Sequence, residues 1–492
     1  MTAVGPHEPG RASAAFSRGV RRPLSAALIG VGAAAVTVLG SWIPSYWNDE
    51  AATLRLTRLP LGDFFGFVLE KDAVHALYAL FMRLWIGRFG ESELAVRAPS
   101  ALAIGAAACG LFVLVGGFRG PRTATIAAVV FTVLPRVSFI GTEGRSFAIA
   151  VALVTWAAVS GVCAARRGDQ LWRWGLFTAV TGVAIATFLY SALVIPAFIA
   201  LVMHVAPADR RILRVAGASL LGAVTIASPV LLIAARQRNQ ISWLGTQPVT
   251  PWTVLVEPFF DQAWWLAALL ISIALAACFR GRRAFGAHRG LVVALVLWLA
   301  VPAAALLIGT VLLSPMFTPR YLSIASPAVA FVAALALTRW RSRVTTALTI
   351  AITVAAAPSA IMMRTPVSKP AHVDLRSIAR TIEREAHQGD AFLLSDTGTV
   401  SLRPRVAVGA YPAAFERVRD IALHRSYART GTYSDVPVDS RVLDARLRRV
   451  TRVWVAVGDA GDRPLAERLA RADLAPGRTV RVRGASLTLW RR

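Results

Sequence analysis

Long apolar stretches alternate with short arginine-rich ones from the first helix-length run to about residue 361. Runs near the roughly 20 residues that cross a bilayer occur at 24–44, 98–116, 123–140, 146–165, 174–189, 191–206, 215–234, 262–279, 290–312, 320–338 and 344–361, which predicts about eleven spans. Those around residue 190 are short for a hydrocarbon core of about 30 Å and read as tilted or broken. The arginines between the runs fall at Arg119/Arg122, Arg166/Arg167/Arg173, Arg210/Arg211/Arg214, Arg280/Arg282/Arg283/Arg289 and Arg339/Arg341/Arg343. The positive-inside rule puts them, with the N-terminal arginines, at the cytoplasmic face, so 1–23 reads as a cytoplasmic tail. The returns at 45–97, 141–145, around 190, 236–260 and 314–320 then face outward. One apolar stretch, 73–90, resists this alternation. Counting it as a span would invert every later arginine cluster, so it reads as a helix on the outer surface, a setting that suits Arg83 and Arg88.

The pattern changes at about residue 365. Residues 365–492 are charged and punctuated, with no membrane-length run. Periodicity predicts helices over 374–388 and 462–474 and strands over 391–394, 452–457 and 486–490, which together suggest a small extracytoplasmic α/β domain. The fold class is a polytopic α-helical membrane protein: a transmembrane domain over 24–361, whose loop 45–97 carries an acidic motif, and an α/β domain over 365–492.

Composition agrees. The chain is 56% hydrophobic and 16% charged, whereas soluble domains are about 25% charged. A net charge of +27 raises nucleic-acid binding, but the arginines sit where membrane topology requires them, which removes that class. Abundant Ala, Arg, Val and Gly with few Lys suggests a GC-rich bacterial genome. Cys109, Cys163 and Cys278 lie in predicted spans and read as small apolar packers, not a disulfide framework or metal set. The N-terminal run is too long for a signal core and Ser41-Trp42-Ile43 is a poor cleavage site, so the first helix reads as uncleaved. Internal repeats, GxGxxG, P-loop, CxxC and HExxH patterns are all missing.

The chemistry lies in the polar residues that break the pattern. Asn48-Asp49-Glu50 follows the first run. A charge costs about 2.5–3.5 kcal/mol at the bilayer centre and little at its edge, so this pair belongs at an interface, beside an apolar wall. Asp49, Glu50, Glu70, Lys71, Asp72, His75, Glu143, Arg145, Arg320 and Tyr321 all map to the outer face. Asp72 and His75, three apart, would share one face of the surface helix. The pair alone supplies too few ligands for a metal. The loop 240–258, with Trp243, Trp252 and Glu257, either shapes an acceptor groove or anchors the chain at the interface; anchoring is the commoner use of such tryptophans.

Five motifs follow in order: Trp47-Asn48-Asp49-Glu50; Asp72-Ala73-Val74-His75-Ala76-Leu77-Tyr78; Phe89-Gly90-Glu91-Ser92-Glu93-Leu94-Ala95-Val96-Arg97-Ala98-Pro99-Ser100; Thr142-Glu143-Gly144-Arg145-Ser146-Phe147; and Phe317-Thr318-Pro319-Arg320-Tyr321-Leu322. This order resembles the polyprenyl-phosphate-sugar-dependent glycosyltransferases of the GT-C superfamily. The nearest likeness is to the branch of protein O-mannosyltransferases and aminoarabinose transferases (glycosyltransferase family 39-like), in an actinobacterial mannosyltransferase type. The resemblance implies an inverting transfer of a sugar, mannose first, from polyprenyl phosphate to a cell-envelope glycan, glycolipid or protein at the outer face of the cytoplasmic membrane. It implies Asp49 as the base that takes the acceptor proton. Glu50 orients the acceptor, assists a metal or caps its helix. Arg320 and Tyr321, with Arg145 and Lys71, would hold the leaving phosphate, a task suited to the planar guanidinium. Asp72, His75 and Glu143 would contact substrate. Some relatives use a divalent metal and others none, so the metal is unknown. The chain departs from the aminoarabinose-transferase pattern in lacking paired prolines before His75, and carries Gly144 and Phe147 where relatives often have Ala and Tyr, which bears on sugar identity. A lipid-linked sugar flippase and a non-catalytic envelope assembly protein are the competing classes. A transporter would show duplicated halves and midplane polar residues, and this sequence shows neither.

Overall fold

The computed structural model describes residues 23–168, 170–207, 209–280, 289–370, 372–395, 403–459 and 461–492. The expected tail 1–23, save Pro23, and Arg282 and Arg283 lie outside the described residues. The chain divides into two compact units, 1–39 with 73–77 and 97–361, and 40–72 with 78–96 and 362–492.

The first unit is helical. Among the described residues, six helices are long and apolar enough to cross a membrane: Glu93–Arg119, Phe147–Arg166, Arg210–Arg236, Arg289–Leu312, Pro319–Leu337 and Ser342–Met362. Shorter apolar helices occupy Pro23–Val38, Leu189–Val205 and Trp264–Phe279, and Leu171–Thr187 forms another helix. Each apolar run of the sequence thus falls on a helix. The run over 123–140 is not a single rod, however. It breaks into Pro121–Val133 and Pro135–Gly141, bent by 66°. Pro135 has no N–H to continue the first helix and is well placed to start the second. The stretch near 190 opens as a 3₁₀ turn, Leu189–Val194, before Ile195–Val205.

The core of this unit is rich in alanine, with Ala107, Ala124, Ala127, Ala148 and Ala334 fully buried beside Phe131 and Phe177. Small residues let helix backbones approach, the main route to packing where lipid removes the hydrophobic drive. At the crossing of Pro23–Val38 with Glu93–Arg119, a Cβ on Gly105 would lie 2.5 Å from the Gly30 carbonyl oxygen.

The second unit joins chain segments far apart in sequence. Its sheet has the order β2-β1-β5-β7-β6, where β1 is Ala391–Leu394, β2 Arg419–Asp420, β5 Arg452–Gly458, β6 Ala475–Val482 and β7 Ala485–Arg491. A separate two-stranded ribbon pairs β3, Leu423–Arg425, with β4, Val436–Pro437. β2, β1 and β5 run parallel, and β7 is antiparallel to β5 and β6. β1 is buried along its whole length and β5 in its middle, the continuous apolar signature of central parallel strands. The expected helices shorten to Leu375–Glu385 and Arg463–Ala470, each opened by an aspartate cap, Asp374 and Asp462. β6 escapes a reading by hydrophobicity because most of it is exposed.

The segments 40–72 and 78–96 belong to this same unit. They supply the helices Asn48–Arg58 and Leu61–Glu70 and most of Ala76–Phe89. The last has 14 residues, about 21 Å at 1.5 Å per residue, short of a bilayer core.

Candidate active site

The helix Asn48–Arg58 carries Asp49 and Glu50 in its first turn and Arg55 and Arg58 in its last, an arrangement the helix dipole favours at both ends. Glu50 is fully buried and Asp49 partly exposed. Polar contacts within the unit fix the basic end. Arg58 pairs with Glu91 at 2.6 Å and donates to the Gly409 carbonyl at 2.6 Å. Arg55 donates to the Tyr433 carbonyl and lies over the Tyr427 ring, 5.3 Å from its centre. Burial lowers the Arg55 pKa, and Asp435 opposes that shift.

The entry to this helix is held as well. Arg376 meets Glu93 at 2.7 Å and donates to the Trp42 and Pro44 carbonyls. Burial works against the Arg376 charge, but Glu93 and Tyr411 outweigh it and raise the pKa. The Tyr411 hydroxyl donates to Glu93 at 2.7 Å and accepts from the Tyr46 amide at 2.9 Å. Burial and then the Glu93 charge push the Tyr411 pKa up.

Asp72 is buried and accepts a hydrogen bond from the Tyr433 hydroxyl. The expectation that Asp72 and His75 share one face of a surface helix is not met. Lys71 caps Leu61–Glu70, Asp72 stands outside any helix, and Ala73–His75 is a 3₁₀ turn. The Ala73 amide donates to the Gln237 side chain instead of extending a helix. Lys71 is exposed.

The first unit gathers the other expected residues. Arg145 donates to His75 Nε2 at 2.7 Å. Since arginine can only donate, that nitrogen accepts and the imidazole carries its proton on Nδ1. Ser100 donates to the Glu143 carbonyl at 2.6 Å, and the Arg145 amide donates to the same oxygen at 2.9 Å. Glu143 is fully buried. The Arg320 guanidinium lies 5.6 Å from the centre of the Phe147 ring. Tyr321 contacts Phe147, Phe188 and Tyr190. Two motifs far apart in the sequence, around Arg145 and around Arg320, therefore meet across Phe147.

Sequence reasoning passed over Arg136. It looked like a polar interruption inside an apolar run, but it sits on the second arm of the bent pair. It donates to the Glu257 carbonyl at 2.9 Å and approaches Asp261 at 3.5 Å. Glu143 and Arg320 are among the charges that act on it. Asp261 takes a positive φ of 51°, uncommon for a residue with a side chain. Pro135, which predicts a helix start, was the available signal. Glu257, expected in a groove or anchoring loop, is the residue whose carbonyl receives Arg136; burial raises its carboxyl pKa while Arg136 opposes the shift. Among the described residues no group of three or more His, Cys, Asp or Glu side chains is placed to hold a metal.

Residues 74–233 match the family model of dolichyl-phosphate-mannose-protein mannosyltransferases. No curated protein sequence matches the chain. Among solved structures, ArnT from Cupriavidus metallidurans bound to undecaprenyl phosphate is similar, with 13% identity, a TM-score of 0.56, and coverage of 94% of this chain and 97% of that one. Its apo form gives 0.57 at the same identity and coverage. The oligosaccharyltransferase of Archaeoglobus fulgidus with a tethered acceptor peptide scores 0.48 at 12% identity, covering 89% of this chain and 69% of that one. The expected fold class is the one observed: a multi-pass helical membrane fold, similar to that of ArnT, with a small strand-containing C-terminal domain.

Proposed function

We propose that this chain, a glycosyltransferase of GT-C type by its fold and by the family model over residues 74–233, moves mannose from a polyprenyl phosphate to a glycan, glycolipid or protein of the cell envelope. The chemistry is an inverting displacement. Asp49 takes the proton of the acceptor hydroxyl as that oxygen attacks the anomeric carbon. A new carbon–oxygen bond forms while the bond to the lipid phosphate breaks, and its electron pair leaves on the phosphate. Arg320 and Arg145, with Tyr321 and Lys71, meet the charge that develops there. Glu50 orients the acceptor. Asp72, His75 and Glu143 contact the donor sugar or support those that do.

The observation that carries this reading is the meeting of the Arg145 motif, through its Phe147, with the Arg320-Tyr321 motif. Arg145 stands two residues before Phe147, and Arg320 lies against that ring. The Arg320 guanidinium, held at the ring of the Arg145 motif, suits a phosphate, which accepts paired hydrogen bonds from a planar fork. Tyr321 and the rings about it suit the apolar lipid beside the phosphate. The reading places the N-terminus in the cytoplasm and the C-terminal domain outside, as the arginine clusters require. The donor follows the description of the matching family model, and the polyprenyl carrier follows the undecaprenyl phosphate bound by ArnT.

Membranes containing the chain, incubated with radiolabelled polyprenyl-phosphomannose and an envelope fraction, test this. Transfer that disappears in Asp49→Ala and Asp49→Asn at equal expression supports it. Transfer that survives in both removes Asp49 as the base. Donor that changes leaflet without any transfer points to a flippase.

A further inference from the structure

Within the second unit, a cavity of about 250 Å³ opens beside the basic end of the acidic helix. At roughly 30 Å³ per water it holds about eight waters, the room one monosaccharide ring needs. Phe392, Phe415 and Leu423 form an apolar wall, and Phe392 and Phe415 stack with ring centres 5.0 Å apart. Arg55, Asp420 and Asp435 also line it.

These polar groups are arranged and not merely present. Arg405, buried, bridges Asp420 at 2.7 Å and Asp435 at 3.1 Å, which fixes both carboxylates. Asp420 also accepts from the Ala422 amide and Asp435 from the Tyr427 amide. Arg55 is 9% exposed, and its Nε is buried with no hydrogen-bond partner among the described residues. That nitrogen packs against Gly409, so what the cavity meets is the rest of the Arg55 side chain. A Cβ at Gly409 would run into the Arg55 guanidinium, so any larger residue there would displace it.

The cavity therefore offers a donor from Arg55, fixed acceptors on two aspartates and an apolar wall. Sugars match all three. Each hydroxyl both donates and accepts, and the C–H face of the ring is apolar. The lining charges select a neutral sugar. Among the described residues Arg55 is the one cation in the lining, against Asp420, Asp435 and Glu416. A phosphate or uronate would face that carboxylate excess.

We infer that this cavity is a saccharide subsite, which takes one neutral sugar ring of a glycan acceptor and holds it on the unit that carries Asp49. Its role in transfer rests on the function proposed above; its binding of sugar does not. Arg55 stands six positions after Asp49, about 9 Å along the helix axis, so acceptor and base share one rigid element. The site makes glycans, among the acceptor classes, the preferred substrate.

The test uses the full chain in nanodiscs, without donor, and a methyl mannoside carrying a diazirine. Light should attach it to peptides within 403–435, and excess methyl mannoside, galactoside or arabinoside should compete. Methyl glucuronide should compete at least tenfold less well. Leu423→Trp, which fills the cavity, should reduce labelling more than fivefold with the melting temperature held. Labelling that no neutral glycoside displaces, or that falls outside these peptides, overturns the proposal, and so does better competition by the glucuronide. The wild-type result needs no variant to fold. Transfer assayed on the same sample separates the two readings: labelling without transfer leaves the subsite standing and sinks the transferase assignment. Transfer without labelling does the reverse.

Discussion

The two units of this protein hold together by different means. The helical unit packs on small residues, with alanines throughout its core and Gly105 against Gly30. The unit that includes the sheet is tied by ion pairs: Arg58 to Glu91, Arg376 to Glu93, Arg405 to Asp420 and Asp435, and Arg452 to Asp390. The first kind of cohesion suits lipid, where close backbone approach does the work. The second fixes segments that are far apart in the sequence, beside a smaller apolar core. Cohesion in the helical unit should therefore fail by overpacking, and in the other by stranded charge.

Asp49→Asn should give the largest effect. Loss of a general base lowers the rate about 10²–10⁴-fold, read as transfer of radiolabel with helical content unchanged. Arg405→Met comes next. It strands two carboxylates that are mostly buried, which costs about 3–5 kcal/mol; limited proteolysis should cut within 403–440 while the helical unit resists. If the helical unit became equally sensitive, the two would not be separate in cohesion. Gly105→Val tests the other side. Its added atoms meet the Gly30 carbonyl and should cost about 1–3 kcal/mol, seen as a lower melting temperature in detergent. Tyr433→Phe removes the donor to Asp72 and should cost about 1.5 kcal/mol by the same assay.

The smallest effect concerns acid. Burial would raise the Asp390 pKa, but hydrogen bonds from Arg452, the His387 amide and Trp454, with the Arg452 charge, bring it below the usual range. A depressed carboxyl contributes stability above its unfolded pKa of about 3.9 and loses it as pH falls through the folded value. Arg452→Met should therefore lower the stability of this unit near neutral pH, measured by denaturant unfolding followed by tryptophan fluorescence, and the deficit against wild type should shrink as the pH falls through the folded Asp390 pKa.

The same contrast governs what the sequence discloses. Helix positions in the first unit were legible because each apolar run is local, and a run of about 20 residues has few other uses. The break at Pro135 was legible in principle, yet the apolar residues on both sides hid it. β1 and β5 announced themselves as buried strands, whereas exposed β6 did not. The assembly of 40–72 and 78–96 with 362–492 was not legible at all, since it rests on single pairs such as Glu93 with Arg376 and Tyr411, which no periodicity marks. The motifs around Arg145 and Arg320 were both singled out, and the fold joins them through Phe147. Arg136 was missed because one arginine in an apolar run resembles noise until the helix carrying it bends.

The split make-up of the second unit has a consequence for biosynthesis. Residues 40–96 leave the ribosome roughly 270 residues before their partners at 362–492. At about 5–20 residues per second the gap lasts roughly 15–50 s. Throughout that interval Glu93 waits for Arg376, Arg58 for the Gly409 carbonyl and Tyr46 for Tyr411. The acidic helix thus reaches its final form only when synthesis is nearly complete, and a nascent chain stopped before residue 362 carries Asp49 on a helix whose basic end has Glu91 for Arg58 but lacks the Gly409 and Tyr433 carbonyls.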